Sequence, residues 1–393
     1  MLRRRSTIAD VANAAGVSIG TVSNYLNGTA KIKEITRERI EKAIDRLSYR
    51  PSVVARALSG QLSVWSRSIP GAPRLTVAGY ISVDYLCRIN ALPQTGERIT
   101  SRHIEKALGG PATNVAVAAA AVGEPYGLNV DLATAVGDDP DSDWALRELG
   151  RRGVHVLPVR RPANNRLSRA VVMIDAEGNR TIINEPFEIS EGDLLDMMDF
   201  APEPVPACLH IEGFHYERMA ASIDRCHQVG WKVSLHSTGL PGTTRTPGAF
   251  LDLLKQIDLT FINDTMFREI FSLDAPISSM IEQARGILST SKERGDVILT
   301  LGRHGAVVFP KSGGPSIEVP ALPVDLVDAT GAGDAFAGIF LSFWLNGASL
   351  HEAARHAAAG GSLAITAEGA QGRISTYAQL AAALAVELPE IAP

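Results

Sequence analysis

An aspartate sits inside the glycine-rich opening of a long apolar segment, "DATGAGDAFAGIF", residues 328–340. The residues that follow (Phe336, Ile339, Phe340, Leu341, Phe343 and Trp344) are apolar on nearly every side of a helix, so a buried helix is expected there. Its first turn leaves backbone N–H groups without helical partners, and Gly331 and Gly333 would let an anion approach them closely. Such an N-terminus suits the charge on a transferring phosphoryl group. Asp334 would repel phosphate if binding were its only task. As a base it makes sense, since its carboxylate could take the proton of a substrate hydroxyl while that oxygen attacks phosphorus. On "GAGD" alone, an aspartate that merely complements the helix dipole serves equally well.

The elements that must position this aspartate begin near Leu75. "LTVAGYISVD" reads as a strand closed by Asp84, "NVAVAAAAVG" as a helix, "VDLATAVG" as a strand, "WALRELGRRGV" as a helix and "DVILTLG" as a strand. This alternation implies a three-layer α/β/α body around a mostly parallel sheet. Segments 85–104 and 168–184 interrupt it. "RAVVMIDAEGNRTIIN" reads as a hairpin turning at Glu177-Gly178-Asn179, and the two segments together make a small β lid.

The first 60 residues have a different texture. They hold 11 Lys/Arg and 5 Asp/Glu, a net +6; the whole chain is −5, so the remainder carries −11. A basic head on an acidic body suits a polyanionic partner. Ile8, Val11, Ala12 and Ala15 share one helical face, Gly16 ends that helix, and Ser18 can cap a second in which Val22 and Leu26 share a face. A third helix from Thr36 would bury Ile40, Ala43, Ile44 and Leu47. The expected unit is a small all-α helix-turn-helix whose second helix enters a DNA major groove. Ser18, Ile19, Thr21 and Asn24 are its candidate DNA contacts, and Gly20 also faces outward. Arg3, Arg4, Arg5, Lys31, Lys33 and Arg37 could contact phosphates. A three-helix unit that binds protein would look the same on periodicity alone.

Composition is that of an ordinary soluble globular protein, 45% hydrophobic and 21% charged. No apolar run approaches the ~18 residues of a membrane span. "MLRRRS" has no continuous apolar stretch behind it, which argues against a signal peptide. Cys87, Cys208 and Cys226 lie far apart without metal-ligand spacing and read as free thiols in a reducing cytoplasm.

Two resemblances join these readings. "TIADVANAAGVSIGTVSNYLNG", followed by "TRERIEKAIDRLSYRPSVVARALSG", resembles the LacI-family DNA-binding head over residues 1–60. The resemblance implies a hinge helix in "SVVARALSG" that folds on DNA, with Leu58 wedged into the minor groove. Gly20 departs from the pattern, standing where that family usually carries a base-reading side chain. After a linker at 61–74, "GGPATNVAVAAAAVG", "TLGRHG" and "DATGAGDAF" are similar, in order and spacing, to the ribokinase-like (PfkB) sugar kinases, and the body is taken as 75–390.

The kinase resemblance implies ATP and Mg²⁺, and assigns roles. Asp334 matches the catalytic base, and Gly331, Ala332 and Gly333 the anion hole. Asp84, Gly109, Gly110 and Asn114 match the sugar site. Asn263, Thr300, Gly302 and Gly305 match residues beside the nucleotide, and Asp328 a site where some members bind a monovalent cation such as K⁺. Two departures stand out. The family's Asn-x-x-Glu, whose Glu helps organise magnesium, reads "NDTM" here, with Met266 at the Glu position and Asp264 and Glu269 as nearby substitutes. A thioether is a poor ligand for a hard cation. "VSLHSTG" lacks a family aspartate, and His236 is read as a core or loop histidine.

The expected protein is a cytoplasmic fusion of transcriptional regulator and ATP-dependent sugar kinase. It would bind a double-stranded DNA operator as a homodimer, with sugar occupancy tuning DNA affinity. The alternative is a sugar-sensing repressor that keeps a kinase fold for binding alone. "GGPATN" lacks the lysine that some phosphosugar kinases carry there, which favours an unphosphorylated sugar.

Overall fold

The computed structural model describes residues 8–27, 33–47, 68–137, 139–160, 166–176, 180–186 and 200–386. The chain divides into two compact units, 1–65 and 66–393.

In the first unit, α1 (Ile8–Ala15), α2 (Ile19–Asn27) and α3 (Glu34–Leu47) enclose a core of Val11, Ala12, Ala15, Val22, Ile40 and Ala43. Gly16 ends α1 in the left-handed region (φ 62°), and the Val17 N–H reaches back to the Ala12 carbonyl at 3.0 Å. Ser18 Oγ then accepts the Thr21 N–H at 3.1 Å, which satisfies an otherwise orphaned donor at the start of α2. Arg3 to Arg5, Lys31, the segment 49–60 with Leu58, and the expected hairpin turn at 177–179 lie outside the described residues.

The second unit is built on a nine-stranded sheet of order β13-β12-β11-β10-β9-β8-β1-β4-β5. Its strands are β1 (Arg74–Ala78), β4 (Asn129–Val136), β5 (Val154–Arg160), β8 (Ala207–Glu212), β9 (Lys232–His236), β10 (Leu259–Asn263), β11 (Asp296–Thr300), β12 (Ala306–Phe309) and β13 (Ile317–Val319). All neighbours from β11 to β5 pair in parallel, and only the β11–β12 and β12–β13 pairs are antiparallel. A four-stranded lid of order β3-β2-β6-β7 consists of β2 (Ser82–Arg88), β3 (His103–Gly109), β6 (Ser168–Ile174) and β7 (Arg180–Asn184).

The reading of "LTVAGYISVD" as one strand needs correction. β1 stops at Ala78, the chain bends through Gly79–Ile81, and Asp84 is the third residue of lid strand β2 rather than the end of β1. The bend has a local cause. A side chain at Gly79 would sit 2.4 Å from the Glu212 carboxylate carbon, so only glycine lets the backbone turn against that buried acid.

Three helices bring the glycine-rich segment to the sheet. They are α4 (Pro111–Ala121), α5 (Ala332–Leu345) and α6 (Leu350–Ala364). Phe336, Ile339, Phe340, Leu341 and Phe343 are all buried, and Trp344 is partly buried, as expected of a helix apolar on nearly every side. The backbone of α5 passes so close to α4 that a Cβ at Gly338 would lie 2.5 Å from the Val115 carbonyl oxygen. That packing fixes the first turn of α5 against the first turn of α4.

Candidate active site

Asp334 lies in the first turn of α5, which Gly331 opens in the left-handed conformation (φ 77°). A side chain at Gly331 would strike the Ala370 backbone at 2.7 Å, so the turn is both bent and tightly packed. Ala335 N–H bonds back to the Gly331 carbonyl at 2.8 Å, while the Gly333 and Asp334 amides precede the point where the helix can supply acceptors. A Cβ on Gly333 would meet nothing closer than the His236 imidazole, at 3.6 Å.

Asn114, from the first turn of α4, donates its Nδ2–H to Asp334 Oδ2 at 2.8 Å. Gln371 donates in turn to Asn114 Oδ1 at 2.9 Å, which fixes the amide orientation. Burial raises the Asp334 carboxyl above its ordinary pKa, against the opposing pull of His236 and Asn114. A carboxylate of raised pKa is a better proton acceptor than a solvated one.

Asp84 points into the same cleft from the lid. Ser82 Oγ donates to its Oδ1 at 2.7 Å, and burial again raises its pKa. Gly109 and Gly110 are steric necessities at this corner. A Cβ on Gly109 would lie 2.1 Å from Asp84 Oδ2, and one on Gly110 (φ 98°) 2.4 Å from the Tyr80 carbonyl oxygen. The cleft has a volume of about 850 Å³ and is lined by Asp84, Gly109, Gly110, Asn114 and Asp334, with Tyr80, Phe214 and Arg180 on its walls. The residue set expected at a sugar site therefore converges.

The residues expected beside a nucleotide form a second group outside that lining. Asn263 and Thr300 end adjacent parallel strands and are partners in register. Asn263 Oδ1 caps the following helix (Asp264–Phe271) by accepting the Met266 N–H at 2.8 Å. Leu301 N–H and the Gly305 carbonyl close the next turn at 2.8 Å, with Gly302 and Gly305 at positive φ. Met266 packs against the core, while Asp264 pairs with Arg268 at 3.9 Å and Glu269 with Arg245 at 2.9 Å. Both candidate substitutes for the missing glutamate are thus engaged by arginines. Among the described residues no group of three His, Cys, Asp or Glu could hold a metal ion.

Asp328, expected at a monovalent cation site, meets other donors. Its carboxylate accepts the Thr330 N–H at 2.9 Å and the Gly369 N–H at 2.5 Å, and it pairs with the Arg180 guanidinium from lid strand β7.

His236, read as a core or loop histidine, lies near the Phe261 ring and also near Asp334. It closes β9 and is mostly buried, with Nδ1 3.8 Å from Asp334 Oδ1, beyond hydrogen-bonding range. Burial lowers its pKa, so the neutral ring is favoured. Glu212 was missed. It closes β8, is fully buried, and pairs with His215 Nδ1 at 2.5 Å beneath the Tyr80 backbone. The signal was positional. Glu212, His236, Asn263 and Thr300 end four successive parallel strands, and ligands in open α/β sheets bind at that edge.

In the head, Ile19, Gly20 and Asn24 lie on the exposed side of α2, with Ile19 52% exposed, while Ser18 and Thr21 share hydroxyls across 2.9 Å. Cys87, Cys208 and Cys226 are free thiols, and burial pushes the last two up to about 12. Among the described residues no helix is long and apolar enough to cross a membrane.

Residues 73–376 match the family described as pfkB family carbohydrate kinase, and residues 7–52 match bacterial regulatory proteins, lacI family. An ATP-dependent ribose-1-phosphate kinase of Halopiger xanaduensis is 28% identical over 308 residues, covering 76% of this chain and 94% of that protein. The structure of Arabidopsis thaliana ribokinase complexed with ribose and ATP superposes with a TM-score of 0.63 at 25% identity, over 80% of this chain and 99% of that one. The head is 53% identical over 55 residues to catabolite control protein A of Streptococcus mutans, which is 14% of this chain and 16% of that protein.

Proposed function

The chain belongs to the pfkB family of carbohydrate kinases, and from that premise we propose that it transfers the γ-phosphate of ATP to a hydroxyl of a sugar or closely related polyol, while its head binds an operator. One observation carries the catalytic reading: the Asp334 carboxylate, raised by burial and oriented by Asn114, faces the same cleft as Asp84. Asp84 accepts hydrogen bonds from two sugar hydroxyls, and charge assistance makes such bonds strong. Asp334 takes the proton of the attacking hydroxyl as its oxygen approaches phosphorus. The backbone amides of Gly331, Ala332 and Gly333 stabilise charge on the phosphoryl group in transit. Asn263, Thr300, Gly302 and Gly305 border the nucleotide. Magnesium, bound with ATP, neutralises phosphate charge.

An unphosphorylated sugar is the favoured substrate class, since "GGPATN" lacks the lysine that some phosphosugar kinases carry in that turn. Coupled ADP-release assays over a panel of monosaccharides test the reading, and ATP-dependent turnover with at least one sugar is expected. Sugar binding without turnover across the panel would move the body to the second reading, a sugar-sensing repressor, which Met266 at the family's glutamate position favours.

Ser18, Ile19, Thr21 and Asn24 contact DNA in the major groove and Leu58 in the minor groove, in a homodimer that spans paired half-sites in the cytoplasm. Sugar and nucleotide tune DNA affinity with a coupling of ~1–3 kcal/mol. Gel-shift titrations with a selected duplex, with and without sugar plus nucleotide, measure it. An affinity unchanged by every sugar that binds would dispose of the coupling.

A further inference from the structure

The lid row formed by Arg88, Ile174 and Arg180 is the feature that the proposed chemistry leaves unexplained. Arg88 stands opposite Ile174 between β2 and β6, and Ile174 opposite Arg180 between β6 and β7. The row therefore carries two guanidinium groups on the side of the lid that lines the cleft. Each meets one acid on the body. Arg180 pairs with Asp328 and also donates to Thr330 Oγ1, while Arg88 pairs with Glu368. The two acids are adjacent in space, since the amide of Gly369, next to Glu368, bonds to Asp328.

The Arg180 contact is the more consequential. Asp328 is 3% exposed at its side chain, and Arg180 20%, so water screens this pair poorly. The Arg88–Glu368 pair is 40% and 45% exposed and contributes little beyond orientation. Thr330, which shares the Arg180 guanidinium, immediately precedes Gly331 and the anion-binding turn. The oxygens of Asp328 already face four donors: the amides of Thr330 and Gly369, the Thr330 hydroxyl and the guanidinium. A potassium ion added there would displace the guanidinium or stand beside a like charge. Neither fits a carboxylate whose acceptor sites are taken.

We infer that Arg180 supplies from the lid the positive charge that a monovalent cation would otherwise provide beside the anion-binding turn, so that the reaction is independent of potassium and requires the lid in place. The inference rests on the kinase reading. It makes Arg180 a positioning residue, acting through Asp328 and Thr330 on the turn that opens α5. Arginine suits the task because its planar fork engages two acceptors at once and never loses its charge.

The full-length protein is assayed with the sugar that turns over, in potassium chloride and in tetramethylammonium chloride at equal ionic strength. The expected kcat agrees within about twofold between the salts, and a potassium-specific rise of about tenfold or more overturns the inference. Thermal unfolding in the same two salts gives a readout free of turnover. Equal Tm supports the inference, and a potassium-specific rise in Tm contradicts it even if no sugar is phosphorylated, which is the separate outcome that defeats the kinase reading. Arg180→Ala is expected to lower kcat by about 10²-fold with a smaller change in sugar KM. Millimolar guanidinium should restore part of that loss, and Arg180→Lys should retain more activity than Arg180→Ala. Arg180→Ala with wild-type kcat overturns the inference.

Discussion

The two halves of the site are built to different standards. On the sugar side, the acidic and amide side chains are held in series: Gln371 fixes Asn114, Asn114 fixes Asp334, and Ser82 fixes Asp84. On the nucleotide side, Asn263 spends its side-chain oxygen on a helix cap, and the third residue beyond it is a methionine packed against the core. On the proposed function, recognition of the acceptor and removal of its proton would be preorganised in the protein, and ordering of the phosphates would fall more on the nucleotide itself. Preorganised partners contribute most where charge develops, so the sugar side should tolerate substitution least.

Asp84→Ala gives the largest expected loss of sugar affinity on that side. Removing two charge-assisted hydrogen bonds should raise sugar KM by about a hundredfold, read from initial rates, with the Tm nearly unchanged. Met266→Glu sharpens the comparison from the other side. Position 266 is third in a helix capped by Asn263, where a glutamate can reach back to the cap's own N–H. It also restores a hard oxygen donor near the phosphates. A gain in kcat of about tenfold at limiting magnesium is expected, and no gain would mean that the methionine is neutral to metal ordering.

His236→Gln should have the smallest effect on rate and a directional effect on pH. Burial favours the neutral ring, and only its protonated fraction at low pH favours the ionised Asp334 carboxylate, so its removal raises the Asp334 pKa slightly further. Asp334 must be ionised to accept a proton, so activity falls as pH drops through its raised pKa. The acid limb of kcat/KM should therefore move to higher pH in the variant, while the plateau above it stays close to wild type. A limb that moves to lower pH would contradict the assigned interaction.

Much of this was legible in the residues. The apolar all-round helix after Gly331 and the alternation of strand and helix follow from periodicity, which reports burial directly. Gly109 and Gly110 were legible as a motif, but the reason for them was not. It lies in the approach of Asp84 on β2 and Tyr80 in the bend before it, contacts between residues 25 to 30 positions apart in sequence. The bend at Gly79 was missed for the same cause, because the acid that forces it, Glu212, comes from β8. His236 could not be placed by its own neighbours, since a histidine at the end of an apolar strand reads alike in a core and in a cleft. Only the parallel order of β8 to β11 gathers those strand ends at one edge. Arg180 was hidden more deeply, because its partner Asp328 lies 148 residues away.

The direct test of the central claim follows phosphosugar formation by ³¹P NMR for wild type and Asp334→Asn, with sugar binding measured in parallel by thermal shift. The account expects wild type to make sugar phosphate, and the variant to bind sugar normally while its rate falls by about 10³-fold. Formation of sugar phosphate by Asp334→Asn at the wild-type rate would contradict the assignment of the proton acceptor.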